Sequence, residues 1–301
     1  MRENASSIER LSLEAPAKVN LTLRVLGSRN DGYHDLESVV VAVDLLDTLE
    51  LEAAPDLTLA CEGAAVPAGE ENLVMKAARR LAAKSGCRKG ARLCLKKRIP
   101  AGRGFGGGSS DAAAALIGLN TLWRTGLTRR DLAAVGATVG SDVPVFFGAP
   151  VSVVRGRGEN VEPVDAAPAW CMVLAWPDFG LPTAEVYAAH DRLARPAAPP
   201  PAATQILGHL LLPARDVRAL LVNDLEPAAN VVRGARMDVR AILEKAGAVA
   251  VGMTGSGSAY FALADTEAEA RRLVEKVRAA GAEAHIAAPI VEVPKQKEVS
   301  S

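Results

Sequence analysis

The stretch Ile99–Leu116 reads IPAGRGFGGGSSDAAAAL. Glycines stand at 102, 104, 106, 107 and 108, followed by Ser109, Ser110, Asp111 and a run of alanines. Glycine lacks a Cβ, so it reaches positive φ and lets the backbone come close to a ligand. Ser-Ser-Asp can cap a helix, whose first N–H groups have no intrahelical partner and carry partial positive charge. A glycine loop delivering the chain into a helix start is an anion site, and phosphate is the anion such sites hold. A flexible linker is the plain alternative, but linkers do not run into an alanine-rich helix fit for close packing.

Working outward, residues 91–99 (ARLCLKKRI) alternate as a strand that leads into the loop. Behind the loop the pattern predicts a helix from Ser110 to about Trp123 and a second over Thr128–Val139, ended by Gly140. Asp142 follows, two residues before Pro144, and on its own reads as a helix N-cap or turn former. On the N-terminal side, residues 17–25 (AKVNLTLRV) put Val19, Leu21, Leu23 and Val25 on one face of a strand. Lys18, Asn20, Thr22 and Arg24 take the other, which composition alone assigns to solvent. A turn at 28–32 leads to Tyr33-His34 and a strand over 39–43. That aromatic pair suits either ordinary surface or a platform for a base. Asn72–Lys84 has helical spacing, with Asn72 as N-cap and Gly86 past the end.

The second half opens, after a strand at 151–154, with the apolar strand Trp170–Trp176. Asn223-Asp224-Leu225-Glu226-Pro227 precedes one long helix, predicted over Pro227–Lys245. Strands at 249–253 and 260–263 flank a second glycine turn, Thr254-Gly255-Ser256-Gly257-Ser258; a helix over Thr266–Ala280 and a strand near His285–Ile290 follow. Arg195–Ala203 (RPAAPPPAA) is expected as an exposed crossing and Pro294–Ser301 as a frayed tail.

Lys plus Arg and Asp plus Glu each number 35, so no net field favours nucleic acid or an anionic membrane. Cys61, Cys87, Cys94 and Cys171 form no Cys-x-x-Cys pair and are expected as reduced, mostly buried thiols. His34, His190, His209 and His285 lie far apart, so no metal held by protein side chains alone is expected. Neither a signal-peptide core nor a membrane-length apolar run occurs, and a cytoplasmic location is expected.

Several phosphate chemistries fit a glycine loop. No lysine follows the glycines as a P-loop requires, and neither His-Arg-Asp nor Asp-Phe-Gly of the protein kinases occurs. Gly102-x-Gly104-x-x-Gly107 matches the dinucleotide fingerprint literally. That fold needs a buried parallel strand before the loop and an acidic strand end about 20 residues later. Here the preceding strand is half polar, and helix, turn and helix follow.

At this point the residues resemble a known family. IPAGRGFGGGSSDAAAAL resembles the phosphate motif of the GHMP small-molecule kinases, Pro-x-Gly-x-Gly-Leu-Gly-Gly-Gly-Ser-Ser-Asp-Ala-Ala. APAKVNLTLRVLGSRNDGYHDLESVVVAVDLLDTL, ENLVMKAA, GSDVPVFFGAP, RGRGE, NDLEP and MTGSGSAYFAL follow the family's order across residues 14–265. Lys18-x-Asn20 with Gly32-Tyr33-His34 is similar to the branch whose alcohol substrate carries a cytidine diphosphate. The resemblance implies an α+β fold in two lobes. An N-terminal ribosomal-protein-S5-like ATP-binding lobe would span 1–160 and a C-terminal ferredoxin-like lobe 161–290, with 291–301 a disordered tail. It also implies ATP-dependent phosphorylation of a small alcohol, with no nucleic acid or membrane partner.

By the same resemblance Lys18 and Asp142 flank the substrate hydroxyl as the catalytic pair. Pro100, Ala101, Gly102, Arg103, Gly104, Phe105, Gly106, Gly107, Gly108, Ser109 and Ser110 wrap the ATP phosphates, and Asn72 lies near the adenine. Mg2+ rides mainly on nucleotide phosphates, with a hydroxyl from Ser109 or Ser110. Tyr33 and His34 take one side of the cytosine and Tyr187 the other, while Asn20 and Thr183 meet polar groups of the substrate. Arg103 and Phe105 depart from the family's small residue and leucine; Arg103 is expected to face solvent and Phe105 to pack beneath the loop. A homoserine- or mevalonate-type kinase, or a non-catalytic nucleotide sensor, are the alternatives.

Overall fold

The computed structural model describes residues 10–63, 66–193, 202–290 and 297–298. Strands β1 (Arg10–Ser28) and β2 (His34–Ala54) form a long antiparallel pair. They extend well beyond the predicted 17–25 and 39–43 because apolar residues continue the alternation. β3 (Leu57–Gly63), α1 (Leu73–Ser85), β4 (Gly90–Lys97), α2 (Gly107–Trp123), α3 (Arg129–Ala137), β5 (Val151–Gly156) and β6 (Asn160–Val164) complete the first lobe. β2 gives residues 36–41 to β5 and 48–54 to β4, and β3 runs parallel to β4. β6 pairs with β5, so the first sheet reaches Val164, past the expected lobe boundary at 160. Residues 297–298, in the expected tail, pair with Leu11 and Ser12; the rest of 291–301 and the Ala/Pro stretch up to 201 lie outside the described residues.

The second lobe contains β7 (Cys171–Trp176), α4 (Thr183–Arg192), the single turn α5 (Ala214–Val217), α6 (Glu226–Arg233) and α7 (Val239–Ala246). β8 (Val251–Met253), β9 (Tyr260–Ala264), α8 (Glu267–Ala279) and β10 (Glu283–Ala287) follow. Its antiparallel sheet has the order β10-β7-β9-β8, the 4-1-3-2 arrangement of a ferredoxin-like unit. The single helix predicted over Pro227–Lys245 is two. The chain breaks at Gly234, whose φ of +61° favours glycine, and Asp238 then caps α7 by accepting the Ala241 N–H.

Four layers result. Helices α1, α2 and α3 cover one face of the first sheet. Its other face meets the second sheet directly, with Val19, Leu21, Val39 and Val41 in one core with Met172, Leu174, Phe261 and Leu263. Helices α4, α6, α7 and α8 cover the far side. Strand β1 changes sides within this stack. Leu11, Leu13 and Ala15 face the helices, whereas Ala17, Val19 and Leu21 face the second sheet. Its pairing with β2 is irregular between Pro16 and Ala17, and such irregularities bend and twist a strand. Beyond that point Lys18 turns toward the start of α2. Most of the face assigned to solvent is therefore buried, Lys18, Asn20 and Thr22 having relative exposures of 4%, 6% and 2%, with Arg24 half-buried.

A buried ionic cluster anchors both ends of the glycine loop. Lys97 at the end of β4 bonds Asp47 of β2 and, at 2.7 Å, Asp111 of α2. Asp47 Oδ1 accepts the N–H groups of Arg98 and Ile99, the residues entering the loop. Two carboxylates thus share one ammonium. Burial pushes the Asp111 carboxyl up to about 7, against the pull of Lys97 and with help from Asp47.

This folded value exceeds the ordinary 3.8, so between the two the native state holds more protons than the unfolded chain. The Asp111 contribution to stability is complete in acid and is lost as pH rises through about 7. Asp111→Asn removes that titration. Its melting temperature relative to wild type should increase between pH 5 and pH 8, and a pH-independent difference would contradict the assignment.

Candidate active site

The glycine loop, β1, the segment before Pro144 and the start of α4 enclose a cleft of about 680 Å³. In the loop, Gly102, Gly104 and Gly106 have φ of +67°, +94° and +71°. Helix α2 starts at Gly107, not Ser110, with Gly106 at its N-cap. Gly107 and Gly108 thus open its first turn, and Ser109-Ser110-Asp111 follow within the helix rather than capping it. The two serines part company. Ser109 lines the cleft, while Ser110 is buried and lines a separate cavity between α2 and β1, its hydroxyl without a partner.

Three consecutive loop carbonyls are tied down from behind. Arg103 O accepts from Ala259 N–H, Gly104 O from the Thr254 hydroxyl and Phe105 O from Lys18 N–H. Phe105 packs beneath the loop against Trp176, edge to face, as its size led one to expect. Arg103 does not face solvent. Its guanidinium donates to the carbonyls of Ala101, Pro177 and Asp178, stitching the loop to the second lobe.

Lys18 and Asp142 meet at the cleft, Nζ to Oδ2 3.8 Å. Asp142 occupies the position before the 3-10 turn Val143–Phe147, yet its side chain makes no capping bond there. The carboxylate is committed to the lysine instead. Burial pushes the Lys18 ammonium below its ordinary value, opposed by Asp142. Asn20 is committed as well: its amide oxygen accepts from Lys18 and the Gly255 N–H, with the Thr254 hydroxyl 3.3 Å away, and its amide nitrogen donates to Ser38. Asn20 therefore orients Lys18 and has little left for a substrate.

The far end of the cleft is aromatic. The His34 and Tyr187 rings lie 4.8 Å apart and 30° from parallel, and His34 Nε2 bonds Asp191 at 2.7 Å. Tyr33, half exposed, lies under the Arg157 guanidinium at 4.6 Å. Burial and the nearby Asp142 charge push the Tyr187 hydroxyl up to about 12, so it stays neutral. Thr183 lines the cleft and bonds Ser256 at 2.9 Å. Asn72 is not brought to this cleft; it caps α1, accepting from Val74 N–H and donating to Pro67 O. Arg157 and Asp191 were missed as site residues. RGRGE carried a signal in its paired glycines, both at positive φ, but nothing near Asp191 marked it in sequence. The four cysteines are free and half-buried, less enclosed than expected.

Family models for the GHMP kinases N terminal domain and the GHMP kinases C terminal region match residues 72–149 and 207–283. The chain belongs to the GHMP kinases, a family of ATP-dependent small-molecule kinases. Within it, the chain falls with the 4-diphosphocytidyl-2-C-methyl-D-erythritol kinases. That of Pelotomaculum thermopropionicum is 42% identical over 88% of this chain and 92% of its own. The enzyme of Paramagnetospirillum magneticum is 41% identical over 89% and 94%. A crystal structure of 4-(cytidine 5'-diphospho)-2C-methyl-D-erythritol kinase superposes with a TM-score of 0.76 at 37% identity, covering 93% of this chain and all of that one. Homoserine kinase from Cytophaga hutchinsonii shares the fold, with a TM-score of 0.74 at 20% identity over 97% and 98%.

A Cβ at Gly104 would lie 2.2 Å from Thr254 O, whereas one at Gly102 meets nothing within 4 Å. Both positions carry the left-handed backbone cost of about 1–2 kcal/mol for alanine. Gly104→Ala should therefore raise KM for ATP by roughly tenfold or more, each tenfold being about 1.4 kcal/mol. Gly102→Ala should do less, and the reverse order in steady-state kinetics would refute this account of the loop.

Proposed function

We propose that this protein transfers the γ-phosphoryl group of ATP to the 2-hydroxyl of 4-diphosphocytidyl-2-C-methyl-D-erythritol, a step of non-mevalonate isoprenoid biosynthesis. The observation that carries the reading is the Lys18–Asp142 contact beside a glycine loop at a helix start. Phosphoryl transfer asks mainly for positioning and for stabilisation of charge. The loop amides and the N-terminus of α2 receive the donor phosphates. Asp142, open to the cleft, accepts the proton of the attacking hydroxyl. Lys18 sets a positive charge 3.8 Å from that carboxylate and orients the hydroxyl.

Among the described residues no group of three or more His, Cys, Asp or Glu could hold a metal ion. We place magnesium on the nucleotide phosphates, whose charge it would neutralise when bound, with Ser109, which lines the cleft, as the better placed hydroxyl. Because it lines the other cavity, Ser110 is the weaker candidate. No helix among the described residues is long and apolar enough to cross a membrane, and we place the enzyme in the cytoplasm, where its free thiols stay reduced.

Specificity is assigned to the aromatic end. A carboxylate only accepts, so Asp191 takes the Nε2–H of His34, and the neutral tautomer that carries this hydrogen has Nδ1 as an acceptor. Cytosine offers an amino donor there, where uracil would offer a carbonyl. Tyr33, under Arg157, supplies a face for the base, with the cation beside it for the diphosphate.

Asp142→Asn should keep the fold but lower kcat by about two to four decades; near-normal turnover would remove Asp142 from the mechanism. Tyr33→Ala should raise KM for the cytidylylated alcohol more than KM for ATP, and equal changes would displace the base from that ring. ADP release with the cytidylylated alcohol, but not with homoserine or mevalonate, separates this activity from its relatives.

A further inference from the structure

We infer that Thr254 is a positioning residue for phosphoryl transfer, linking the phosphate loop to Lys18 through one hydroxyl. The inference rests on the Lys18–Asp142 reading above. Thr254 sits in the turn between β8 and β9 of the second lobe and is fully buried. Its neighbours Gly255, Ser256 and Gly257 line the cleft. Asn223 holds the turn by donating to the carbonyls on either side, Met253 O and Gly255 O.

The Thr254 hydroxyl accepts the Asn20 N–H at 3.1 Å. It also lies 3.3 Å from Asn20 Oδ1 and 3.2 Å from Gly104 O. A hydroxyl has one hydrogen, so it serves one of these acceptors at a time. Asn20 Oδ1 already accepts from Lys18 and, at 2.9 Å, from the Gly255 N–H. A carboxamide oxygen has two lone pairs. While Lys18 donates to Asn20, that oxygen is full and the hydroxyl hydrogen belongs to Gly104 O, pinning the loop. When Lys18 turns from Asn20 toward Asp142 and the substrate hydroxyl, a lone pair is freed and the Thr254 hydrogen can move to it. The state of the lysine is thereby read by the donor loop, across the boundary between the lobes.

Thr254→Ser and Thr254→Ala both lose the methyl group, and only the first keeps the hydroxyl. The serine variant should retain kcat within about threefold, while the alanine variant should lose about tenfold to a hundredfold, the scale of a small misplacement of reacting groups. KM for the cytidylylated alcohol should change little in either. Equal kcat in the two variants, at whatever level, would overturn the inference, because a purely packing role depends on the methyl they share in losing. Asp142→Asn run alongside separates the two claims. If that variant collapses while serine and alanine agree, only the Thr254 role fails; if it keeps normal turnover, the reading beneath it fails.

Discussion

Two glycine turns, one from each lobe, are nested backbone to backbone, and the placement of the loop beside Lys18 depends on that approach. Gly104 packs so tightly on the Thr254 carbonyl that no side chain fits between them. Gly255 in turn leaves 3.0 Å between its own missing Cβ and Gly104. The contact fixes where the loop sits relative to β1, and β1 carries Lys18. It also explains why two stretches about 150 residues apart are both glycine-rich: each supplies the space the other occupies.

The second constraint is the cost of a buried ammonium, several kcal/mol for an unpaired ion. Lys18 is surrounded by the groups that offset it, Asn20 Oδ1 and the Asp142 carboxylate. Asn20 is fully engaged in this, whereas the Asp142 carboxylate keeps an open side toward the cleft. Beneath the loop, Lys97 is treated differently. Burial pulls its ammonium down, but Asp111 and Asp47 together outweigh that and raise it above its ordinary value. One lysine is thus a fixed structural cation, and the other is kept less firmly charged at the cleft, beside Asp142.

Much of this was legible in the chain. The loop declared itself because glycine, serine and aspartate at those spacings have few other uses. Lys18 and Asp142 were visible only through a family resemblance, since alternation sends Lys18 to a solvated face and Pro144 makes Asp142 look like a cap. What reversed both was long-range: an irregularity in β1–β2 pairing at Pro16, and a lysine brought beside an Asp142 carboxylate that makes no capping bond. The start of α2 was misjudged because glycine is a poor helix former by propensity, yet Gly107 fits against Ile99 where a side chain could not. The division of α6 from α7 was missed for the opposite reason: amphipathic spacing continues across Gly234, and only its backbone angle ends the helix. Arg103 could not be placed from sequence at all, since its partners are main-chain carbonyls of a distant segment.

The direct contact of the two sheets bears on how substrates enter. Parting the lobes like a book would expose Val39, Val41, Met172, Leu174, Phe261 and their neighbours to water. At about 1.5–3 kcal/mol for each such side chain, that exceeds the entire folding stability of an ordinary domain, about 5–15 kcal/mol. The molecule is consequently not a hinged jaw. Nucleotide and alcohol must pass through a cleft backed by packed core, and any gating falls to exposed segments at its rim, such as the turn bearing Tyr33.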